Sequence, residues 1–207
     1  YNIPIIYDSC QAFGAKSPEG EIGSFGDIEV FSLDASKILT AGTGGFITVK
    51  NDCIFDKIIL AKNFGNNSQK IPQLRGINAR MHEFNAILAN NNLQDFNINI
   101  TVARKNAEAY KILLSNIDKI SLQKANNKLS FPQFFGIFLD HPDSKIGYKL
   151  QKQLLKKGIK TRIYNPSNLH QNSIFSKKKI NLNITEKMCS KILCLPTHRK
   201  VESHHRR

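Results

Sequence analysis

Residues 81–114 contain neither Pro nor Gly, and through them apolar side chains recur at Phe84, Ile87, Leu88, Leu93, Phe96, Ile100, Val102 and Tyr110 at helical spacing. This run predicts a long helix, broken at most once, that joins two separate parts of the chain. Three divisions follow: residues 1–80, linking helices over 81–120, and a smaller α+β domain over 121–207.

The first part alternates short apolar runs with turn signals. Residues 3–7 read as a buried strand, Ser17-Pro18-Glu19-Gly20 as a turn, and residues 28–33 and 44–49 as two more strands. Asp52 stands where it can cap a helix whose stripe is Cys53, Ile54, Ile58, Ile59 and Leu60. After an Asn- and Gly-rich loop and the long helix, residues 131–139 read as a strand, 144–157 as a basic amphipathic helix closed by Gly158, and 160–164 as another strand. This is the pattern of an α/β protein with a parallel-type sheet followed by a small α+β domain.

The chain carries 30 Lys and Arg against 16 Asp and Glu, a net +14. The excess is one-sided: residues 1–80 hold 8 basic and 8 acidic residues, and the remainder holds 22 and 8, so 22 − 8 = +14. Many of these lysines decorate one amphipathic helix (Lys145, Lys149, Lys152, Lys156, Lys157) or the loop Lys177-Lys178-Lys179, without interleaved aromatics. A solvated face is the first reading of this charge, attraction of an anionic substrate the second, and nucleic acid the last. A hydrophobic fraction of 41% and the lack of a long uncharged apolar run predict a soluble, globular chain with no membrane span. Cys10, Cys53, Cys189 and Cys194 form no C-x-x-C pair and have no His at zinc-like spacing, so no metal site is expected and a reducing cytoplasm fits. His204 and His205 read as part of a polar tail. The chain opens at Tyr1 directly into an apolar run, as a fragment of a longer protein would.

Within the neutral part, Asp8 ends the first strand, where open α/β sheets place their ligand crevice. Lys37 lies just beyond the second, in Phe31-Ser32-Leu33-Asp34-Ala35-Ser36-Lys37, and Gly42-Thr43-Gly44-Gly45 follows. A carboxylate, an amine and a hydroxyl at neighbouring strand ends are the groups that pyridoxal phosphate chemistry needs: the amine for a Schiff base and proton transfer, the carboxylate for the pyridine nitrogen, the hydroxyl for the phosphate. Each residue alone is weak evidence, since an Asp after a strand is commonly a cap and a Lys commonly a surface residue.

The wording of these segments is specific. Residues 3–15 (Ile-Pro-Ile-Ile-Tyr-Asp-Ser-Cys-Gln-Ala-Phe-Gly-Ala), Gly23-Ser24-Phe25-Gly26-Asp27-Ile28, the Lys37 segment with Gly44-Gly45, and Arg75-Gly76-Ile77-Asn78-Ala79-Arg80-Met81 resemble the DegT/DnrJ/EryC1/StrS family of sugar aminotransferases. Gly158-Ile159-Lys160-Thr161-Arg162, Leu169-His170-Gln171 and Leu195-Pro196-Thr197-His198 resemble its C-terminal landmarks, so the likeness covers nearly the whole chain in order. It implies a type I (aspartate aminotransferase-like) fold, with residues 1–80 as the later part of the cofactor-binding large domain. It also implies pyridoxal phosphate as cofactor and ping-pong transfer of an amino group from glutamate to a nucleotide-linked keto sugar.

By position, the resemblance makes Lys37 the Schiff-base lysine and catalytic acid and base, and Asp8 the partner of the pyridine nitrogen. Gln11 would lie against the cofactor ring and Ser32 on its phosphate. Asn78 would reach the phosphate of a neighbouring subunit in a homodimer with shared sites, and Arg80 and His170 would lie near the sugar nucleotide. Two positions depart: Thr43 stands where the family commonly has Glu, and Asp34 where it often has His or another residue. Lys37 argues against the family's dehydratases, which carry His there. Family chains are about twice as long, so this chain alone is expected to be inactive unless the rest is supplied. An inactive remnant or regulatory paralogue is the alternative from a different class.

Overall fold

The computed structural model describes residues 1, 3–123, 132–164, 167–175, 180–189 and 191–201. The Lys177–Lys179 cluster, His204 and His205 lie outside the described residues. The chain divides into two compact units, one comprising Tyr1–Ile98 and the other beginning at Asn99. The division falls inside a helix.

The first unit is built on a three-stranded sheet of β1 (Ile6–Asp8), β4 (Ile28–Ser32) and β5 (Gly45–Val49), in the order β1-β4-β5. A small hairpin of β2 (Lys16–Ser17) and β3 (Gly20–Glu21) closes over the expected Pro18-Glu19 turn. The sheet is mixed rather than parallel: β1 runs parallel to β4, whereas β5 returns antiparallel. The connection from Leu33 to Gly44 holds no helix and brings β5 back antiparallel, whereas a parallel neighbour is usually reached through a helical crossover. β1 is shorter than residues 3–7 led us to expect, and it is not buried: Ile5 and Ile6 are 50% and 65% exposed. As the edge strand it has a partner on one side only.

β4 shows the period-two alternation of a half-buried strand, with Glu29 and Phe31 buried on one face and Ile28, Val30 and Ser32 on the other. Phe31 stacks on Phe46 at 4.6 Å between ring centroids, and Phe13 meets Phe31, Phe46 and Phe96 at 5.7, 5.3 and 5.0 Å. Four rings at these separations anchor the unit beyond their simple area burial. Helix α1 (Asp52–Lys62) follows β5. Its cap is Asn51, one residue earlier than expected, whose Oδ1 accepts from the N–H groups of Cys53 (2.8 Å) and Ile54 (3.3 Å). Asp52 instead places its charge in the first turn, where the helix dipole favours it.

The long helical run is broken once, at Asp95, into α2 (Glu83–Gln94) and α3 (Phe96–Leu114). The second unit places Ala107 and Tyr110 of α3 in a core with Phe135, Ile137 and Leu139 of β7 (Phe134–Leu139) and Leu193 and Leu195 of β8 (Ile192–Pro196). Its antiparallel sheet has the order β6-β7-β8, with β6 at Ile120–Leu122. Asn106, 1% exposed, donates to the Thr197 carbonyl at 2.9 Å, which satisfies a buried amide inside that core. Helix α4 (Ile146–Lys156) is the expected basic helix, with Gly158 in the left-handed region at φ 79°. Residues 160–164 do not form the expected strand. They contribute a single antiparallel bridge, Arg162 to Cys194, on the edge of β8 that β7 leaves open. Helix α5 (Asn183–Cys189) completes the unit. Among the described residues no helix is long and apolar enough to cross a membrane, and no cluster of His, Cys, Asp or Glu could hold a metal ion.

Candidate active site

Three of the expected site residues meet at one end of the β1-β4-β5 sheet. Asp8 is the last residue of β1 and is registered against Val30; Ser32, two residues further along β4, is on the same face as Val30. Lys37 sits on the loop between β4 and β5, and that loop is tightly folded. Asp34 Oδ1 accepts from the Ser36 N–H (2.9 Å) and hydroxyl (2.6 Å), and the Lys37 N–H donates to the Asp34 carbonyl at 2.9 Å. Asp34, which departs from the common family residue, therefore builds the turn that presents Lys37.

The loop's return is equally constrained. Leu33 N–H donates to the Gly44 carbonyl and Ala41 N–H to the Leu33 carbonyl, at 2.9 and 2.8 Å. Asn85 and Asn92 of α2, seven residues apart and so on one helical face, donate to the carbonyls of Ala41 (2.6 Å) and Thr40 (2.9 Å). A Cβ at Gly45 would collide with the Phe31 carbonyl oxygen, so the glycine allows β5 to pass close to β4 beside Ser32.

The electrostatics bind Asp8 to Lys37. Cys10 N–H donates to the Asp8 carboxylate at 3.2 Å, while its thiol, beside that carboxylate, lies 3.9 Å from the Val30 carbonyl; Cys10 first and the Lys37 charge last hold the Asp8 carboxyl below the ordinary range. The same contact pushes the Cys10 thiol up. Lys37 also helps to lower Asp34, behind the larger effect of the Ser36 hydrogen bonds. Ser32 Oγ accepts from the Asp34 N–H at 3.2 Å, which leaves its hydroxyl proton to donate elsewhere. Gln11 is exposed in the turn that follows Asp8.

Asn78 and Arg80 occupy a different segment, pinned to the end of α1. Ile77 N–H donates to Ala61, Phe64 N–H to Ile77 and Ala79 N–H to Lys62, at 2.8 to 3.0 Å, and the Arg80 guanidinium lies 5.3 Å from the Phe64 ring centroid. Both side chains are exposed, and neither bonds to Asp8, Gln11, Ser32 or Lys37 among the described residues. His170 belongs to the second unit, where its Nε2 lies 2.9 Å from Glu186 Oε1. That bond, with the Leu182 N–H, holds the Glu186 carboxyl below its ordinary range. A cavity of about 390 Å³ beside the pair is lined by Tyr148, Asn168, Gln171, Glu186 and Cys189, among others.

Sequence reasoning missed Glu29, Cys10, Asn85 and Asn92. The signal for Glu29 was a charged residue inside an otherwise apolar strand, and for the asparagines a seven-residue spacing on one helix face. For Cys10 the signal was its place two residues after Asp8, where an Asp side chain commonly accepts from the backbone N–H.

The groups at this end of the sheet, an amine, a carboxylate and a hydroxyl with a proton to give, are of the kinds that could hold a phosphate-bearing aldehyde cofactor. Known proteins resemble this chain as follows. A dTDP-4-amino-4,6-dideoxy-D-glucose transaminase of Shigella dysenteriae is 28% identical over 98% of this chain and 56% of its own. A GDP-perosamine synthase of Escherichia coli O157:H7 is 27% identical over 86% of this chain and 48% of its own. The chain thus spans about half the length of these relatives. Among solved structures, the aminotransferase TlmJ of Streptoalloteichus hindustanus superposes with a TM-score of 0.85 at 22% identity, over 99% of this chain and 56% of its own. That likeness shows a shared fold. The model of the DegT/DnrJ/EryC1/StrS aminotransferase family matches residues 1–207 in full. This chain is a member of that family.

Proposed function

We propose that the full-length protein transfers an amino group from glutamate to a nucleotide-linked keto sugar, using pyridoxal phosphate held by Asp8, Gln11, Ser32 and Lys37. The observation that carries this reading is the placement of Asp8, Ser32 and Lys37 at one sheet end, with the Asp8 carboxyl held below its ordinary range chiefly by Cys10 and least by Lys37. The cofactor, when bound, supplies an electron-withdrawing ring that makes the donor's α-proton removable.

Each residue then has a task of its own. Asp8, as a carboxylate, would keep a ring nitrogen protonated. Ser32 would donate its hydroxyl to the phosphate, and Gln11, in the turn next to Asp8, would meet the ring. Lys37 Nζ would hold the cofactor covalently at rest; displaced from that link by the donor's amine, it would be free to take the proton from the donor's α-carbon and, in the reverse sense, to deliver one to the sugar carbon that receives nitrogen. Because one amine performs both transfers, donor and acceptor use the site in turn. Asn78, exposed on a segment anchored to α1, is assigned to the phosphate of a second subunit in a homodimer. Arg80 and His170 are assigned to the sugar nucleotide, whose diphosphate suits a cation. A cytoplasmic setting matches such a substrate.

Borohydride treatment of the full-length protein with pyridoxal phosphate should leave the cofactor attached to the peptide containing Lys37, found by mass spectrometry. Lys37→Ala should lose both the visible cofactor band and turnover. Label on another lysine, or an unchanged band in Lys37→Ala, refutes the assignment.

A further inference from the structure

Glu29 is 1% exposed, and the chemistry above makes no use of it. Ser9 Oγ donates to its Oε1, while the N–H groups of Gly23 and Phe25 donate to its Oε2 at 2.7 and 3.4 Å. Among the described residues no Lys, Arg or His forms an ion pair with it. A buried carboxylate is costly unless its oxygens are filled. If this face of β4 needed only packing, an apolar side chain would serve, as Phe31 does two residues later.

What the charge gathers lies on both sides of Asp8. Ser9 is its neighbour in sequence, and the Ser9 N–H is fixed to the Val30 carbonyl at 2.9 Å. The loop carrying Gly23 and Phe25 continues into Gly26, where a Cβ would come within 2.7 Å of the Tyr7 ring and 2.8 Å of the Ile5 carbonyl oxygen. Asp27 then accepts from the Ile5 N–H at 2.8 Å. One carboxylate therefore ties the end of β1 to β4 directly, and ties the loop that presses on β1 as well. It does so from the sheet face opposite Val30 and Ser32.

We infer that Glu29 is a positioning residue: by drawing in Ser9 and the 23–26 loop, it sets where the Asp8 carboxylate stands relative to Ser32 and Lys37. The inference rests on the reading of Asp8 as the partner of the cofactor's ring nitrogen. Glu29 touches neither cofactor nor substrate and acts through Ser9.

The test uses the full-length protein loaded with pyridoxal phosphate and reads two quantities apart from activity: the cofactor dissociation constant and the pH midpoint of the bound cofactor's visible band. Asp8→Asn shows how the midpoint moves when the carboxylate is lost. Glu29→Gln keeps the volume and one acceptor, and Ser9→Ala removes one donor, so both test the idea even if Glu29→Ala fails to fold. Each should move the midpoint in the direction of Asp8→Asn and weaken cofactor binding by about tenfold, the effect of one charge-assisted hydrogen bond. A lowered melting temperature with both readouts unchanged would show a purely structural residue and overturn the inference while leaving the proposed function intact. Absence of the band in the unsubstituted protein overturns both.

Discussion

Gly76→Ala isolates one steric contact in the segment that carries Asn78. The residue does not occupy the left-handed region, so its substitution carries no conformational penalty beyond the clash. A Cβ there would fall 2.7 Å from the Ala61 carbonyl oxygen and closer still to Gly65 N and Phe64 C, all of them backbone atoms. Flexible side chains could yield; the α1 terminus and the turn after it cannot without losing the Ile77-to-Ala61 and Phe64-to-Ile77 hydrogen bonds. Overpacking commonly costs 1–3 kcal/mol, and three rigid neighbours put this case at about 3 kcal/mol. Gly65→Ala should cost about 1 kcal/mol more, because Gly65 has φ 78° and its Cβ would strike the Leu74 carbonyl. The double variant should fall well short of the sum, since both side chains open the same crossing. Amide hydrogen exchange at Ile77 and Ala79 in the full-length protein reads this local opening directly, and about 3 kcal/mol corresponds to exchange on the order of 100-fold faster. Exchange within threefold of the unsubstituted protein at both amides would refute the reasoning.

Acid should weaken the second unit through Glu186. Its carboxyl is held below the ordinary 4.5 by His170 first and the Leu182 N–H next, so the ionised form stabilises folding above that value. The stabilisation is lost as pH falls through the lower folded-state value. His170→Ala should flatten this part of the urea-midpoint profile, and an unchanged slope below pH 4.5 argues against the pair. Thiol alkylation at neutral pH should mark exposed Cys53 well before Cys194, which is buried with its thiol pushed up; equal rates would contradict the packing of β8. Asn85→Ala should remove one of the two amides that hold the Thr40–Ala41 carbonyls. The expected cost is about 1 kcal/mol, read by urea unfolding, together with faster proteolysis between Leu39 and Gly44.

Much of this architecture was legible because it is local. The Pro- and Gly-free run at 81–114 predicts its helices, Gly158 marks the end of α4, and the order Asp8, Ser32, Lys37 places a carboxylate, a hydroxyl and an amine at or just beyond neighbouring strand ends. Strand direction was not legible: β5 and a parallel strand share the same apolar pattern, and the twelve residues of the 33–44 connection suit either, so the antiparallel return is a fact of the fold alone. Residues 160–164 carry a strand-like composition, yet pairing is a property of two segments, and along the open edge of β8 only Arg162 meets a partner, Cys194.

The sequence by itself determined which chemical groups are available, their order, and the family to which they belong. Only the tertiary structure decided how they are held: the Lys37 charge brought near Asp8, and two asparagines of α2 fastening the carbonyls of the Lys37 loop. Above all, it decided that Glu29 is fully buried with three donors. The physical reason is that hydrogen bonding and desolvation depend on what surrounds a group, and pairs such as Ser9 with Glu29, 20 positions apart, and Asn92 with Thr40, 52 apart, become neighbours only after the chain has folded.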